Sequence, residues 1–452
     1  MKVAKRPNFV STRNACKLCT PLGACLAFRG IEGCVPFLHG SQGCATYVRR
    51  YLISHFNEPV DIASSNFSEQ TAIFGGGDNF KLGLRNVVDS YQPQVVGVAT
   101  TCLSETIGDD VAMFLHEFRK SNPGQDLPFV LHASTPSYTG THADGFTRAV
   151  KAAVEAIAEG GETGEHINIL PGMVSPEDIR QLRQICEDFG IDATILPDYS
   201  DSLDGGIWDD YHKIPEGGTP IDEIIRAGRA RATIEFASMT KPAESPGAYL
   251  EKTFGVANHV LPLPIGVRAT DRLFQLLCDL SGRDVPAKYQ KRRARLIDSF
   301  VDGHKYISGL RAVVYGEEEF VLALASMLGE IGIVPALCGS GARSGKLSEK
   351  LGKSLPKIAE KIRVADGADF VEIEQLAGEM DLDLIVGHSK GFKMSQALGI
   401  SLVRVGFPVH DRIGGGRICH VGYRGTQELF DRVANAVIER LQADNPVGYT
   451  YM

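Results

Sequence analysis

Short apolar runs without polar alternation, each followed by an amphipathic stretch at helical spacing, recur along most of this chain and leave few folds open to it. "VVGVATTC" (95–102) precedes "LSETIGDDVAMFLHEFRK", "FVLHAST" precedes "DGFTRAVKAAVEAIAEG", and "HINILPG" precedes "SPEDIRQLRQICEDFG" and then "DATILPD". Farther on, "LRAVVYG" precedes "EEEFVLALASMLGEIG" and "IVPALCG", and "LDLIVGHS" precedes "KGFKMSQALG" and "ISLVRVG". A strand that is apolar on both sides must be covered on both faces, the condition of a parallel sheet wrapped by helices. The expected fold class is therefore α/β, with doubly wound, mostly parallel, Rossmann-like domains. At 452 residues the chain exceeds what one hydrophobic core supports. The pattern divides into blocks near 1–165, 166–305 and 306–424, with the glycine-rich "AEGGETGEH" (158–166) at the first cut. The amphipathic end, 425–452, is expected to form a helix that packs back on the 1–165 block.

Local signals sharpen the elements. Ser175 reads as an N-cap with Pro176 at the first helical position and Gly190 at the C-terminal end. Ser104 is expected to cap the helix after Cys102, with Glu105 and Asp109 favouring its start. The long polar loop 198–220 holds the only tryptophan, Trp208, and a loop of that length is expected to cover a site or an interface.

Charge and hydropathy narrow the partners. A net charge of −8 gives no basic footprint for nucleic acid. No apolar run approaches the ~18 residues of a membrane span, and the start of the chain lacks a signal-peptide core. A cytoplasmic, reducing location is expected. Ten cysteines there read as thiols or metal ligands rather than disulfides.

The cysteines are unevenly spread. Cys16, Cys19, Cys25, Cys34 and Cys44 crowd the start and Cys102 follows, while Cys186, Cys278, Cys338 and Cys419 are scattered. Cys186 and Cys278 sit among apolar neighbours at helical spacing and read as core residues. Cys19 in "CKLCTPLGA", Cys44 after "VPFLHGSQG" and Cys102 after "VVGVATT" occupy three analogous loop positions, where ligands of doubly wound sheets collect. Gly40 and Gly43 would let a bulky ligand approach the backbone. Soft thiolates at loop tips suit zinc or an iron–sulfur cluster. "CKLC" lacks the second close pair of a structural zinc site and the preceding strand of a thioredoxin-like pair. Iron–sulfur, zinc and unliganded thiols all remain open on spacing alone. Three ligands from one chain would leave a cluster incomplete, which implies a partner chain.

"CTPLGA", "HGSQGCATYVRRYLISHFNEPVDIASSNFSEQTAIFGG", "TTCLSETIGDD", "STPSYTGTH" and "GFPVHDRIGGGRICHVGYRGT" resemble, in order and separation, the β-type subunits of the nitrogenase component 1 superfamily. The resemblance implies the component 1 fold and a homologous α-type partner, habitually in an α2β2 heterotetramer. It further implies an eight-iron cluster of P-cluster type shared between the two chains, with Cys19, Cys44 and Cys102 as ligands from this side. Ser137 in "TPSYTG" matches a serine whose oxygen reaches that cluster when it is oxidised. Phe74 in "TAIFGG" matches an aromatic residue where the ATP-dependent iron–sulfur reductase protein docks. A complex iron–sulfur cofactor is expected in the α-type partner, and no catalytic residue in this chain, which has no GxxxxGK[ST] loop. His39 is expected to be structural, as are His388 and His420; Cys16, Cys25 and Cys34 match no family ligand. The compact, scaffold-like β chain with a full cysteine set points to a nitrogenase-like reductase, such as the methylthio-alkane reductases. The alternative is the β-like subunit of the scaffold that matures the iron–molybdenum cofactor.

Overall fold

The computed structural model describes residues 14–445 and the backbone of Lys2 and Val3. Three parallel sheets form the frame. The third sheet includes β1 (Lys2–Val3). The first holds β2 (Cys34–His39), β3 (Ala63–Ser64), β4 (Val95–Thr100) and β5 (Phe129–Ala133), in the order β3-β2-β4-β5. The second holds β6 (Ile167–Leu170), β7 (Ala193–Ile195), β8 (Ala232–Phe236) and β9 (Ala257–Leu261), in the order β7-β6-β8-β9. β10 (Arg311–Gly316), β11 (Val334–Ser340), β12 (Arg363–Asp366), β13 (Leu384–Gly387) and β14 (Ser401–Arg404) complete the third, ordered β1-β12-β11-β10-β13-β14. Every residue of β2, β4 and β6 is buried, as unalternating apolar strands require. The α/β class with doubly wound parallel sheets is as the sequence indicates.

Helices around the first sheet position its loops. They are α1 (Thr20–Arg29), α2 (Gln42–Phe56), α3 (Glu69–Phe74), α4 (Gly77–Tyr91), α5 (Cys102–Thr106), α6 (Val111–Lys120) and α7 (His142–Ile157). All ten residues of α1 are buried. α1 crosses α7 where two glycines meet backbone: a Cβ at Gly23 would lie 1.6 Å from the His142 carbonyl oxygen, and one at Gly145 1.9 Å from that of Thr20. In the second sheet's layer, α8 (Pro176–Asp188) begins with Ser175 accepting from Asp178 N at 3.0 Å, and Gly190 follows it at φ +68°. Asp178 also accepts from His420 N at 2.5 Å and Val421 N at 3.0 Å, so the first turn of α8 holds the segment that leads into the terminal helix.

Two expectations about the chain ends are corrected. The start does not belong with the first sheet. β1 pairs in parallel with β12, Phe370 N donates to Asn14 O at 3.1 Å, and Gly341 N donates to Cys16 O at 3.2 Å. The edge of the third sheet thus gains a partner for otherwise unpaired backbone groups. The terminal helix, Gly422–Ala443, does not return to the 1–165 block but packs on helices Val267–Ser281 and Ala287–Ile307 and on β14. Its apolar face explains the choice: Phe430 meets Phe300 and Tyr423 meets Phe274, each pair 5.0 Å between ring centroids. Residues 446–452 of the expected helix lie outside the described residues. The loop 198–220 covers the end of α1: Asp198 N and Thr219 N both donate to Gly30 O, at 2.9 and 2.8 Å, and Ser202 Oγ donates to Arg29 O at 2.6 Å.

Glu317, after β10, caps the following helix by accepting from Glu319 N at 3.0 Å and Phe320 N at 3.2 Å. Burial, then the charge of Glu319, pushes its pKa up to about 8. The folded chain therefore keeps a proton that the unfolded chain releases near the ordinary glutamate value. Stability should fall as pH rises from that value to about 8 and then level off. In thermal unfolding scans from pH 6 to 9, Glu317→Gln should flatten this part of the wild-type decline.

Candidate functional site

The order β3-β2-β4-β5 places a topological switch between β2 and β4: the chain leaves β2 for β3 on one side, while β4 leads to β5 on the other. Crevices at such points, outside the carboxyl ends of the strands, are where doubly wound sheets bind ligands. Cys44 follows β2, as the third residue of α2, and Cys102 follows β4, as the first residue of α5. Cys19 is the N-cap residue of α1, at φ −62° and ψ 141°, ahead of Thr20 and Pro21. Three thiols therefore stand at three helix starts, and the ten-residue α1 and fifteen-residue α2 turn their positive ends toward two of them.

The loops after β2 and β4 touch. A Cβ at Gly40 would lie 2.3 Å from Thr101 Oγ1, and Thr101 Oγ1 donates to His39 O at 3.1 Å. Gly40 thus admits a neighbouring loop rather than a ligand, and a Cβ at Gly43 would meet Ser41 Oγ at an ordinary 3.7 Å. Cys44 and Cys102 are exposed and Cys19 is half-buried. Burial raises the Cys19 pKa, and the charges of Cys102 and Cys44 raise it further, against hydrogen bonds from Ser137 and Tyr47. Cys102 and Cys44 therefore both lie within electrostatic reach of Cys19.

Ser137 binds this group together. Its backbone N donates to Cys102 Sγ at 3.2 Å, and its Oγ accepts from Thr20 N, next to Cys19, at 3.2 Å. Ser41 Oγ donates to Cys44 Sγ at 3.6 Å. Two further residues escaped the sequence reading. Lys17 Nζ donates to Gly140 O at 3.0 Å and Ser137 O at 3.4 Å, and Tyr47, which acts to lower the Cys19 pKa, meets Tyr51 at a tilt, 4.8 Å between centroids. Tyr47 lies three residues after Cys44 on α2, a spacing that puts both on one face and could have marked it.

The remaining cysteines are elsewhere. Cys16 is buried against the third sheet with Tyr315 and Phe370, and burial pushes its pKa up to about 12, so "CKLC" is not a working pair. Cys25 and Cys34 lie in the main core, where burial likewise raises both thiols, Cys34 to about 12. Among the described residues no three His, Cys, Asp or Glu side chains cluster closely enough to hold a single metal ion, which removes the ligand set of a self-contained zinc site.

His39 is fully buried, with Nε2 2.9 Å from Asp109 Oδ2 and Nδ1 3.0 Å from Ser65 Oγ. A carboxylate at Nε2 fixes the proton there and leaves Nδ1 to accept from Ser65. Asp109 also accepts from Gly76 N at 3.1 Å, so it braces the loop between α3 and α4 and does not cap α5. Glu105 Oε1 accepts from Ser134 Oγ at 2.6 Å and from Thr100 Oγ1. The N-cap of α5 is Thr101, whose N donates to Ser104 Oγ at 2.9 Å, a correction to the reading of Ser104 as cap. Phe74 ends α3 with 85% of its surface exposed, beside Ile73 at 75%. His420 Nδ1 is 2.7 Å from Asp178 Oδ2, while His388 and Cys419 are buried.

The sequence matches the family model described as nitrogenase component 1 type oxidoreductase over residues 19–438. The chain belongs to the nitrogenase component 1 family. It is similar to the nitrogenase molybdenum-iron protein beta chain of Clostridium pasteurianum, 34% identical over 95% of this chain and 94% of that one. It is also similar to the nitrogenase iron-molybdenum cofactor biosynthesis protein NifN of Bradyrhizobium diazoefficiens, 32% identical over 99% of this chain and 94% of that one. Among solved structures, a chain of nitrogenase Cp1 matches with a TM-score of 0.94 and 32% identity, over 100% of this chain and 98% of that one. Within the component 1 family this is a chain of the β and NifN type. Among its described residues no helix is long and apolar enough to cross a membrane.

Proposed function

We propose that this chain is the electron-relaying β-type subunit of a nitrogenase-like component 1, working in the cytoplasm with a homologous α-type partner in an α2β2 assembly. Cys19, Cys44 and Cys102 hold half of a P-cluster-type iron–sulfur cluster, and thiolates of the partner complete it. The observation that carries this reading is that Cys44 and Cys102 stand exposed after β2 and β4, the strands that flank the switch point of the first sheet, with Cys19 within electrostatic reach of both. The donor set fits the group: all-sulfur, at helix starts, with Ser137 N and Ser41 Oγ donating to two of the sulfurs. When bound, the cluster supplies one-electron transfer. The chain's own part is to fix the three sulfurs, to tune their charge through Ser137, Tyr47 and Lys17, and to present Phe74 and Ile73 as the apolar contact for an ATP-dependent reductase protein.

A second reading is the NifN-like half of a cofactor assembly scaffold, favoured by the 32% identity to NifN across 99% of this chain. Reduction takes place on a complex iron–sulfur cofactor in the α-type partner under the first reading. Methyl thioethers therefore stand beside dinitrogen as candidate substrates. Anaerobic turnover of the co-purified αβ complex with reductase protein, ATP, dinitrogen, acetylene and methyl thioethers separates the readings. Sustained ATP-dependent product supports the reductase. Absence of product, with activation of cofactor-free nitrogenase by the same complex, supports the scaffold.

A further inference from the structure

Lys17 lies two residues before Cys19, at the point where the chain passes from the third sheet to the first. Its ammonium donates to Gly140 O and Ser137 O, 120 or more residues away, and so closes the "SYTG" turn against the start of α1. All three polar atoms of Ser137 are thereby assigned: N to Cys102 Sγ, Oγ to Thr20 N, and O to Lys17 Nζ. Carbonyl oxygens orient the ammonium without neutralising it. Asp144, the carboxylate that acts on it, is already engaged by Thr141 N at 2.6 Å and Thr141 Oγ1 at 3.0 Å. Lys17 is also within electrostatic reach of both Cys19 and Cys102, which with Asp144 favour its charge against burial and Arg343, and Lys390 is a second cation within reach of Cys19.

We propose that Lys17 is a positioning residue of the cluster site: it locks the Ser137–Gly140 turn against Cys102 and α1, and it keeps a fixed positive charge beside two ligand sulfurs. The inference rests on the reading that Cys19, Cys44 and Cys102 hold a cluster. A reduced cluster carries more negative charge than an oxidised one, so a cation held close favours the reduced form and raises its potential. Holding the turn also decides where Ser137 N and Oγ stand relative to the sulfurs of Cys102 and Cys19.

The test uses the αβ complex purified with wild-type chain, Lys17→Met and Lys17→Arg, each measured for iron content, midpoint potential and the electron paramagnetic resonance spectrum of the oxidised state. Lys17→Met is expected to keep its iron, to shift the midpoint to more negative potential and to change the oxidised spectrum. Lys17→Arg, which keeps the charge and can donate to two carbonyls, should restore both. If Lys17→Met does not assemble, Lys17→Gln is read against the same outcomes. Wild-type midpoint and spectrum in the neutral variant, or failure of arginine to restore the midpoint, would overturn the Lys17 assignment. That result leaves the cluster reading intact, because iron is still present. A wild-type complex without interface iron would instead sink the cluster reading, and this inference with it.

Discussion

Cys44→Ala should leave the αβ complex folded in this chain yet stripped of its interface iron, with ATP-dependent electron transfer reduced to background. Cys44 is exposed in the first turn of α2, and its sulfur accepts a single weak bond from Ser41 Oγ within this chain. Alanine at such a position removes no core packing and suits a helix, so the change in this chain's own stability should stay within about 0.5 kcal/mol. Loss of iron would then report ligation and not unfolding. Cys25→Ala is the contrast: that thiol is fully buried in the core of the first sheet, so the variant should lose roughly 1–2 kcal/mol of stability and keep its iron. Iron analysis and thermal melting on the two variants check both halves. Full iron and full electron-transfer rate in Cys44→Ala would show the ligand assignment to be wrong.

Gly23→Ala should be far more damaging than its single methyl suggests. The added carbon would sit 1.6 Å from a backbone oxygen of α7, and neither helix can yield through a side-chain rotation because both contacts are backbone. α1 is buried along its whole length, so it cannot move outward without opening the core. A loss of roughly 3 kcal/mol or more is expected. Because Cys19 caps that same helix, iron content should fall together with the melting temperature. Gly43→Ala is the control, with its nearest neighbour at 3.7 Å in the exposed first turn of α2, where alanine should be neutral or slightly stabilising. Thermal melts of the two variants decide it. Equal stability of Gly23→Ala and wild type would contradict the crossing of α1 and α7.

What the sequence discloses about this chain follows range of interaction. β4 reads from "VVGVAT" because burial on both faces is written into consecutive residues, and Ser175 reads as a cap because its partner Asp178 is three residues away. Cys44 and Cys102 could be singled out because each follows an apolar run at the start of a helix, and Cys19 because Pro21 comes two residues after it. The separation of Cys16 from Cys19 could not be read from "CKLC", since it depends on the chain's start pairing with β12 and on contacts of Cys16 with Tyr315 and Phe370. His39 and Asp109 are 70 residues apart and Lys17 and Ser137 120 apart, so their bonds exist only once the first sheet is assembled. The same limit misplaced Asp109 as a helix-start residue: its spacing suited a cap, but a buried histidine and Gly76 N compete for its carboxylate and win.

The most direct measurement is anomalous diffraction at the iron edge from crystals of the αβ complex prepared without oxygen. The ligand assignment predicts iron between the sulfurs of Cys19, Cys44 and Cys102 and thiolates of the partner, with Cys16, Cys25 and Cys34 unliganded. Iron bound to any of those three buried thiols, or an anomalous signal from zinc in place of iron at the switch point, would contradict it.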